Sequence, residues 1–177
     1  MGSIRFPKPV LSFMAVFSSD ASAFDWVRKR AENQWGPLAL ESETFSVEMF
    51  TDYYAPTMGE TLPKRLWAFE NLIQPDMLAK IKCMTNDWEA EFQEFTVCSA
   101  ERALNIDPGY LDLGKLILAS TKDHAHRIYL SEGIFAETTL MYTQKQWKPL
   151  PWSYPDYQSP GYQKFLTQCR EYLKSKR

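Results

Sequence analysis

Glycine is scarce in this 177-residue chain, with seven residues in all. None of them builds a phosphate cradle. No GxxxxGK[ST] occurs, so a P-loop nucleotide site is unsupported, and no GxGxxG follows an apolar run. GxSxG is missing too, which removes the nucleophile elbow of a hydrolase. Cysteines number three, Cys83, Cys98 and Cys169, widely spaced and never as CxxC. That argues against a disulfide framework and a thiolate zinc site, and makes reduced thiols in a cytoplasm the plain expectation. No stretch approaches the length of a membrane helix, so no membrane association is expected. The net charge of −2 and the pI near 5.8 give no reason to expect nucleic acid.

The N-terminus imitates a signal peptide. Arg5 and Lys8 precede "VLSFMAVF", and "ASA" follows at 21–23. The apolar run is short, contains Ser12, and leads into Asp20 and a helix start. A buried first strand accounts for it better. The opening "MGSIRF" places Phe6 where a myristoylation signal needs Ser or Thr.

Hydrophobic residues make up 45% and aromatics 15%, a globular composition. The length suggests a single domain over residues 1–177, with a flexible 1–8 and a frayed 174–177. "PVLSFMAVFS" (9–18) reads as a strand buried on both faces. Ser22 and Asp25 suggest a capping box, and Phe24, Val27, Ala31 and Trp35 form a helical stripe closed by Gly36. "TFSVEMFTDYY" (44–54) alternates as a strand, with Phe45, Val47 and Met49 on one face. "RLWAFENLI" (65–73) returns from it.

Pro75 opens a helix whose stripe is Met77, Ile81, Met84, Trp88, Phe92 and Phe95. "NIDPGYL" (105–111) reads as a loop with Pro108-Gly109 as a turn. "KLILAST" (115–121) reads as a central strand. "HRIYL" (126–130) and "IFAETTLMYT" (134–143) flank a three-residue loop, 131–133, with Gly133 in the left-handed position. The proline-rich "WKPLPWSYPDYQSP" (147–160) is expected to strap across the core. Ser159 and Pro160 begin a last helix, at about 160–174. The fold class this order implies is α+β: a ferredoxin-like β-α-β-β-α start, extended into a mostly antiparallel sheet with helices on one face.

Both histidines fall in "STKDHAHRIYLSEGIFAE" (120–137). The three-residue loop pairs Arg127 with Glu137 and His126 with Thr138. Arg127 and Glu137 then make either a cross-strand ion pair or an anion grip oriented by the carboxylate. His124 and His126, at i and i+2, share a face on a regular strand and part if the backbone bends. A metal pair lacks a third ligand at telling spacing; one histidine acting in acid/base chemistry needs only a single partner. Lys122, Asp123, Asn105 and Asp107 come from loops that border the hairpin. Lys, Arg and His around a loop suit a phosphate or carboxylate, or else form a solvated charged turn. The paired HxT or HxS of two-histidine phosphoesterases is absent.

The run "ALNIDPGYL…KLILASTKDHAHRIYLSEGIFAETTLMY", followed by "WSYPDY", resembles an uncharacterised bacterial family, one carried as a domain of unknown function and sometimes labelled a GTP-binding protein. The resemblance extends to "YYAPTMG" and "LIQPDMLAKIKCMTN". Its motif falls on Asn105, Asp107, Pro108, Gly109, Lys115, Lys122, His126, Arg127, Glu137, Tyr154 and Asp156. It implies where a site lies and brings no established activity; the nucleotide label finds no GTPase loop in this chain.

The expectation is therefore a cytoplasmic protein binding a small anionic, conceivably phosphorylated, ligand. Arg127, Lys122, Asn105, Asp107 and Lys115 form the binding set, and His126, His124 and Glu137 the proton-moving set. No cofactor, reaction or metal is specified, and self-association stays open. The alternative is a non-catalytic interaction module using the Trp/Tyr/Pro-rich 147–162 segment with Trp147 and Trp152 exposed.

Overall fold

The computed structural model describes residues 2–177, apart from the Phe95 side chain. Any role of Met1, and the place of Phe95 in the helical stripe, lie outside the described residues. In chain order come β1 (Val10–Ser18), α1 (Ser22–Trp35), β2 (Leu38–Glu41), β3 (Phe45–Ser46), α2 (Ala55–Met58) and β4 (Pro63–Ile73). Then follow α3 (Leu78–Phe95), β5 (Leu104–Asp112), β6 (Lys115–Ser120), β7 (Ile128–Ser131), β8 (Ile134–Thr143), β9 (Gln146–Pro149) and α4 (Pro160–Ser175). The fold is α+β, built on one sheet of order β2-β4-β1-β5-β6-β8-β7, with β3 added on β4 and β9 on β8. All these pairings are antiparallel.

β1 is buried along its whole length because its apolar run sits between β4 and β5 with helices above and below. β1 and β2 both run antiparallel to β4, which lies between them. They are thus parallel to each other and joined through α1, a split β-α-β path.

The expectation of helices on one face is corrected. Met14, Val16, Trp67, Phe69 and Ile106 pack with Phe24 and Val27 of α1 and Ile81, Trp88 and Phe92 of α3. Their in-strand neighbours Phe13, Ala15, Leu66, Leu111 and Leu116 pack with Phe165, Leu166 and Leu173 of α4. Strand alternation sends these two sets to opposite faces, so α4 lies across the sheet from α1 and α3. Ser159 caps α4, its hydroxyl accepting from the Tyr162 N–H at 3.4 Å. On the other face, buried Lys82 of α3 donates to the Ile106 carbonyl at 2.8 Å, and Glu89 accepts from the Ile106 N–H. Glu89 also takes Arg102 at 2.7 Å. Burial pushes the Glu89 carboxyl above its ordinary value, against the pull of Lys82 and Arg102.

Other local expectations shift. The 44–54 segment is a strand only at Phe45–Ser46, then turns through Val47–Met49 into α2, leaving Met49 exposed. β2 had no sequence signal. Met77 lies in a short turn ahead of α3 and is exposed rather than core. Ser22 does not cap α1 but is its first residue, its N–H and hydroxyl donating to Asp20 Oδ1 at 2.9 and 2.7 Å. Pro108-Gly109 is no turn but the interior of β5. A Cβ on Gly109 would meet the Ile117 carbonyl oxygen at 2.3 Å, so the glycine permits close approach of β6. No helix of the described residues is long and apolar enough to cross a membrane.

Candidate functional site

Five neighbouring strands present one face to α4, and three of them place a charged residue on it. Phe17 stands beside Lys64, Ala15 beside Asp107, Gly109 beside Leu118, and Leu118 beside Glu137. Past the apolar patch that α4 covers, Lys64, Asp107, Leu118 and Glu137 form the floor of a cavity of about 290 Å3. Residues 47–54 make one wall, and the strap after β9 makes the other. Phe50, Tyr53, Tyr54, Tyr154 and Tyr157 give both walls an aromatic lining.

Lys64 is buried and donates to Asp156 Oδ2 at 2.7 Å. The same oxygen accepts from the Tyr162 hydroxyl at 3.1 Å, and Oδ1 accepts from the Tyr157 N–H at 3.0 Å. The Phe17 and Tyr157 rings each lie 5.2 Å from the ammonium. Burial pulls the Lys64 pKa down, but Tyr162 and Asp156 outweigh it and hold the ammonium well above the ordinary lysine value. Lys64 is thus a fixed cation rather than a nucleophile. Burial raises the Tyr157 and Tyr54 phenols, which stay neutral.

Arg127 was placed on a ladder opposite Glu137, with His126 opposite Thr138. Both residues fall just off the ladder. The hairpin turn has two residues, Glu132 (φ 55°) and Gly133 (φ 74°), so Ser131 pairs with Ile134, and a bulge between Tyr129 and Ser131 then restores the expected register, with Tyr129 opposite Phe135 and Ile128 opposite Ala136. The pairing stops there, at the first residue of β7. His124 to Arg127 form a bend closed by the Arg127 N–H on the His124 carbonyl at 2.8 Å. From that bend Arg127 still reaches Glu137, Nε to Oε2 at 2.8 Å, with side chains 4% and 2% exposed. Its Nη1 donates to Ser120 Oγ at 2.7 Å and the Lys122 carbonyl at 3.0 Å, and Nη2 to the Tyr154 hydroxyl at 3.4 Å. The pair is therefore a buried clamp tying the bend and the strap to the sheet.

His126 Nε2 lies 3.2 Å from the same Glu137 oxygen, and Thr139 donates to Oε1 at 3.4 Å. The His126 ring stacks on Trp152 at 4.9 Å, and exposed His124 stacks on His126 at 5.8 Å. Glu137 and Arg127 line the cavity; His126 and His124 stand outside its wall. No three of His, Cys, Asp and Glu among the described residues gather as metal ligands would.

The other expected residues separate. Lys122 is exposed at the rim and donates to the Tyr53 hydroxyl at 3.2 Å, which lowers the Tyr53 pKa. Asp107 lines the cavity and, among the described residues, takes no hydrogen bond or ion pair. Asn105 is not on a rim loop: it is buried in β5, outside the cavity wall, with Nδ2 unpartnered. Lys115 is corrected out of the site, because it sits at the opposite end of β6 from Ser120. Lys64, Tyr54 and Tyr157 were missed. The signal for Lys64 was available: on β4 it falls in phase with Leu66 and Ala68, a charge on an apolar face.

No curated protein and no solved structure matches the chain. A family model described as a domain of unknown function (DUF4416) matches residues 8–172. That span takes in every residue of the cavity, its floor strands and the strap, and so the chain belongs to the DUF4416 family.

Proposed function

We propose that this protein binds a small anionic molecule in the cavity, its anionic group held at the rim by Lys122 and Arg127. One observation carries this reading: Lys64 of β4 and, from the connection between β6 and β7, Lys122 and Arg127 converge on one aromatic-walled cavity of about 290 Å3. That volume is near the lower end of small-molecule sites. Arg127 spends four N–H groups on Glu137, Ser120, the Lys122 carbonyl and Tyr154. A guanidinium has five, so one Nη2 hydrogen is left, pre-oriented, for a ligand. Lys122 keeps two ammonium hydrogens beyond the one given to Tyr53.

Any proton chemistry on the ligand runs through Glu137, the carboxylate of the His126–Glu137–Arg127 set, which lines the cavity beside Arg127. His126 then acts as a positioning residue, holding Oε2 from outside. Of the two tryptophans on which the interaction-module alternative stood, Trp147 is buried, and Trp152, though exposed, stacks on His126 and donates its Nε1 to the Thr138 carbonyl at 2.9 Å, so a broad exposed aromatic face is not formed. A thermal-shift screen with inorganic phosphate, nucleotides, phosphosugars, carboxylates and divalent metals tests the reading. A ligand at a hundred times its Kd adds about 2.7 kcal/mol of stability. An anion should raise the melting temperature of the native chain and do so less in Lys122→Met. Stabilisation by no anion, or equal stabilisation of the variant, would overturn it.

A further inference from the structure

Resting on that binding reading, we infer that the ligand is a zwitterion: its anionic group sits at the Lys122–Arg127 rim and a protonated amine sits at the inner end against Asp107. The two ends of the cavity differ in sign. At the buried end, Lys64 is matched by Asp156 at 2.7 Å, and Asp107 adds a second carboxylate that feels the Lys64 ammonium but, among the described residues, has no cation within ion-pair distance. At the rim, Arg127 is matched by Glu137 at 2.8 Å, and Lys122 adds a cation of its own. Each end thus carries one charge more than its ion pair uses, negative inside and positive outside.

An unpaired carboxylate in a half-buried cavity is costly unless a ligand supplies its partner. A hydroxyl would give Asp107 a hydrogen bond but leave its charge unmatched; an ammonium supplies both. The surroundings suit a cation. Tyr54 and Tyr157 are in electrostatic reach of Asp107, and aromatic faces attract ammonium groups. An anion alone would fill the rim, leave Asp107 bare and place its remaining atoms against a negative inner end.

The separation of Lys122 from Asp107, rim against floor, favours amine and anion several bonds apart. The probes follow from that: 4-(aminomethyl)benzoate with 4-methylbenzoate and 4-methylbenzylamine, and the straight-chain aminocarboxylates from 4-aminobutanoate to 6-aminohexanoate with their desamino acids. Isothermal titration and tyrosine-region NMR shifts of the native chain read the affinities. At least one zwitterion should bind about tenfold or more tightly than its desamino acid, the ratio expected for one charge-assisted hydrogen bond. Asp107→Asn should erase that ratio, with the zwitterion losing affinity and the desamino acid none. Lys122→Met should weaken both acids. A desamino acid that binds as tightly as its zwitterion throughout overturns the inference and leaves the anion reading standing. If no acid of either series binds a folded protein, the zwitterion inference falls, and the thermal-shift screen alone decides the anion reading.

Discussion

Replacing Arg127 with Met separates a surface ion pair from a buried clamp. An exposed cross-strand pair is worth less than about 1 kcal/mol. Arg127 and Glu137 are only 4% and 2% exposed, so the second case applies. Removing one partner of a buried pair costs about 3–5 kcal/mol, because the remaining charge loses its counter-ion where water cannot replace it. The loss also releases Ser120, the Lys122 carbonyl and Tyr154, which untethers the bend and the strap. His126 remains 3.2 Å from the carboxylate and moderates the cost toward the lower figure. Urea unfolding followed by tryptophan fluorescence and far-UV circular dichroism measures it. In a chain of this size about 3–5 kcal/mol corresponds to a melting temperature lower by about 6–20 °C. The double variant Arg127→Met, Glu137→Gln removes the stranded charge and should be more stable than the single one, a positive coupling that a double-mutant cycle reads directly. A single variant within about 1 kcal/mol of the native chain would refute the clamp.

Gly109→Ala should cost about 3 kcal/mol or more, or abolish soluble expression, because the new Cβ meets backbone oxygen at 2.3 Å and Leu118 Cδ2 at 2.7 Å; an unchanged urea midpoint would contradict the packing of β5 on β6. Trp88→Ala, at a side chain 8% exposed between Trp35 and α3's neighbours, should cost about 3–5 kcal/mol in the same assay. Glu89 gives a pH signature. Its folded pKa lies above the unfolded one, so the native state holds more protons, and its contribution to stability falls as pH rises from the unfolded value through the raised one. Glu89→Gln should remove that slope; a stability profile of unchanged shape from pH 4 to 7 would show that burial does not dominate at this carboxyl.

The elements legible in the sequence are those whose period is set by burial on one side. The α1, α3 and α4 stripes repeat every three or four residues because each helix meets one sheet face, and β1 reads as an unbroken run because both its faces are covered. What failed to read was set by tertiary contact. Pro108-Gly109 has turn chemistry, yet β6 approaches so closely that only glycine fits, and the pairing of β5 with β1 and β6 overrides the local preference. Which face α4 covers has no local signal at all: its stripe is as well suited to either side of the sheet.

The site divides along the same line. Charged residues crowded into 120–137 marked the right region, because a bend held against a sheet edge needs polar partners. Their roles depended on where the ladder stops. It ends at Ile128, in the expected register, and the bend at 124–127 takes His126 and Arg127 off it while leaving Arg127 in reach of Glu137. A charge buried with its counter-ion leaves no trace in spacing when the two are far apart in sequence, as Lys64 and Asp156 are. Asp107 is the opposite case. It shares its face of β5 with Asn105, Gly109 and Leu111 and feels the ammonium of Lys64, which another carboxylate already holds. Among the described residues no hydrogen bond or ion pair accounts for an acid there, and so its direct partner is best sought in what enters the cavity.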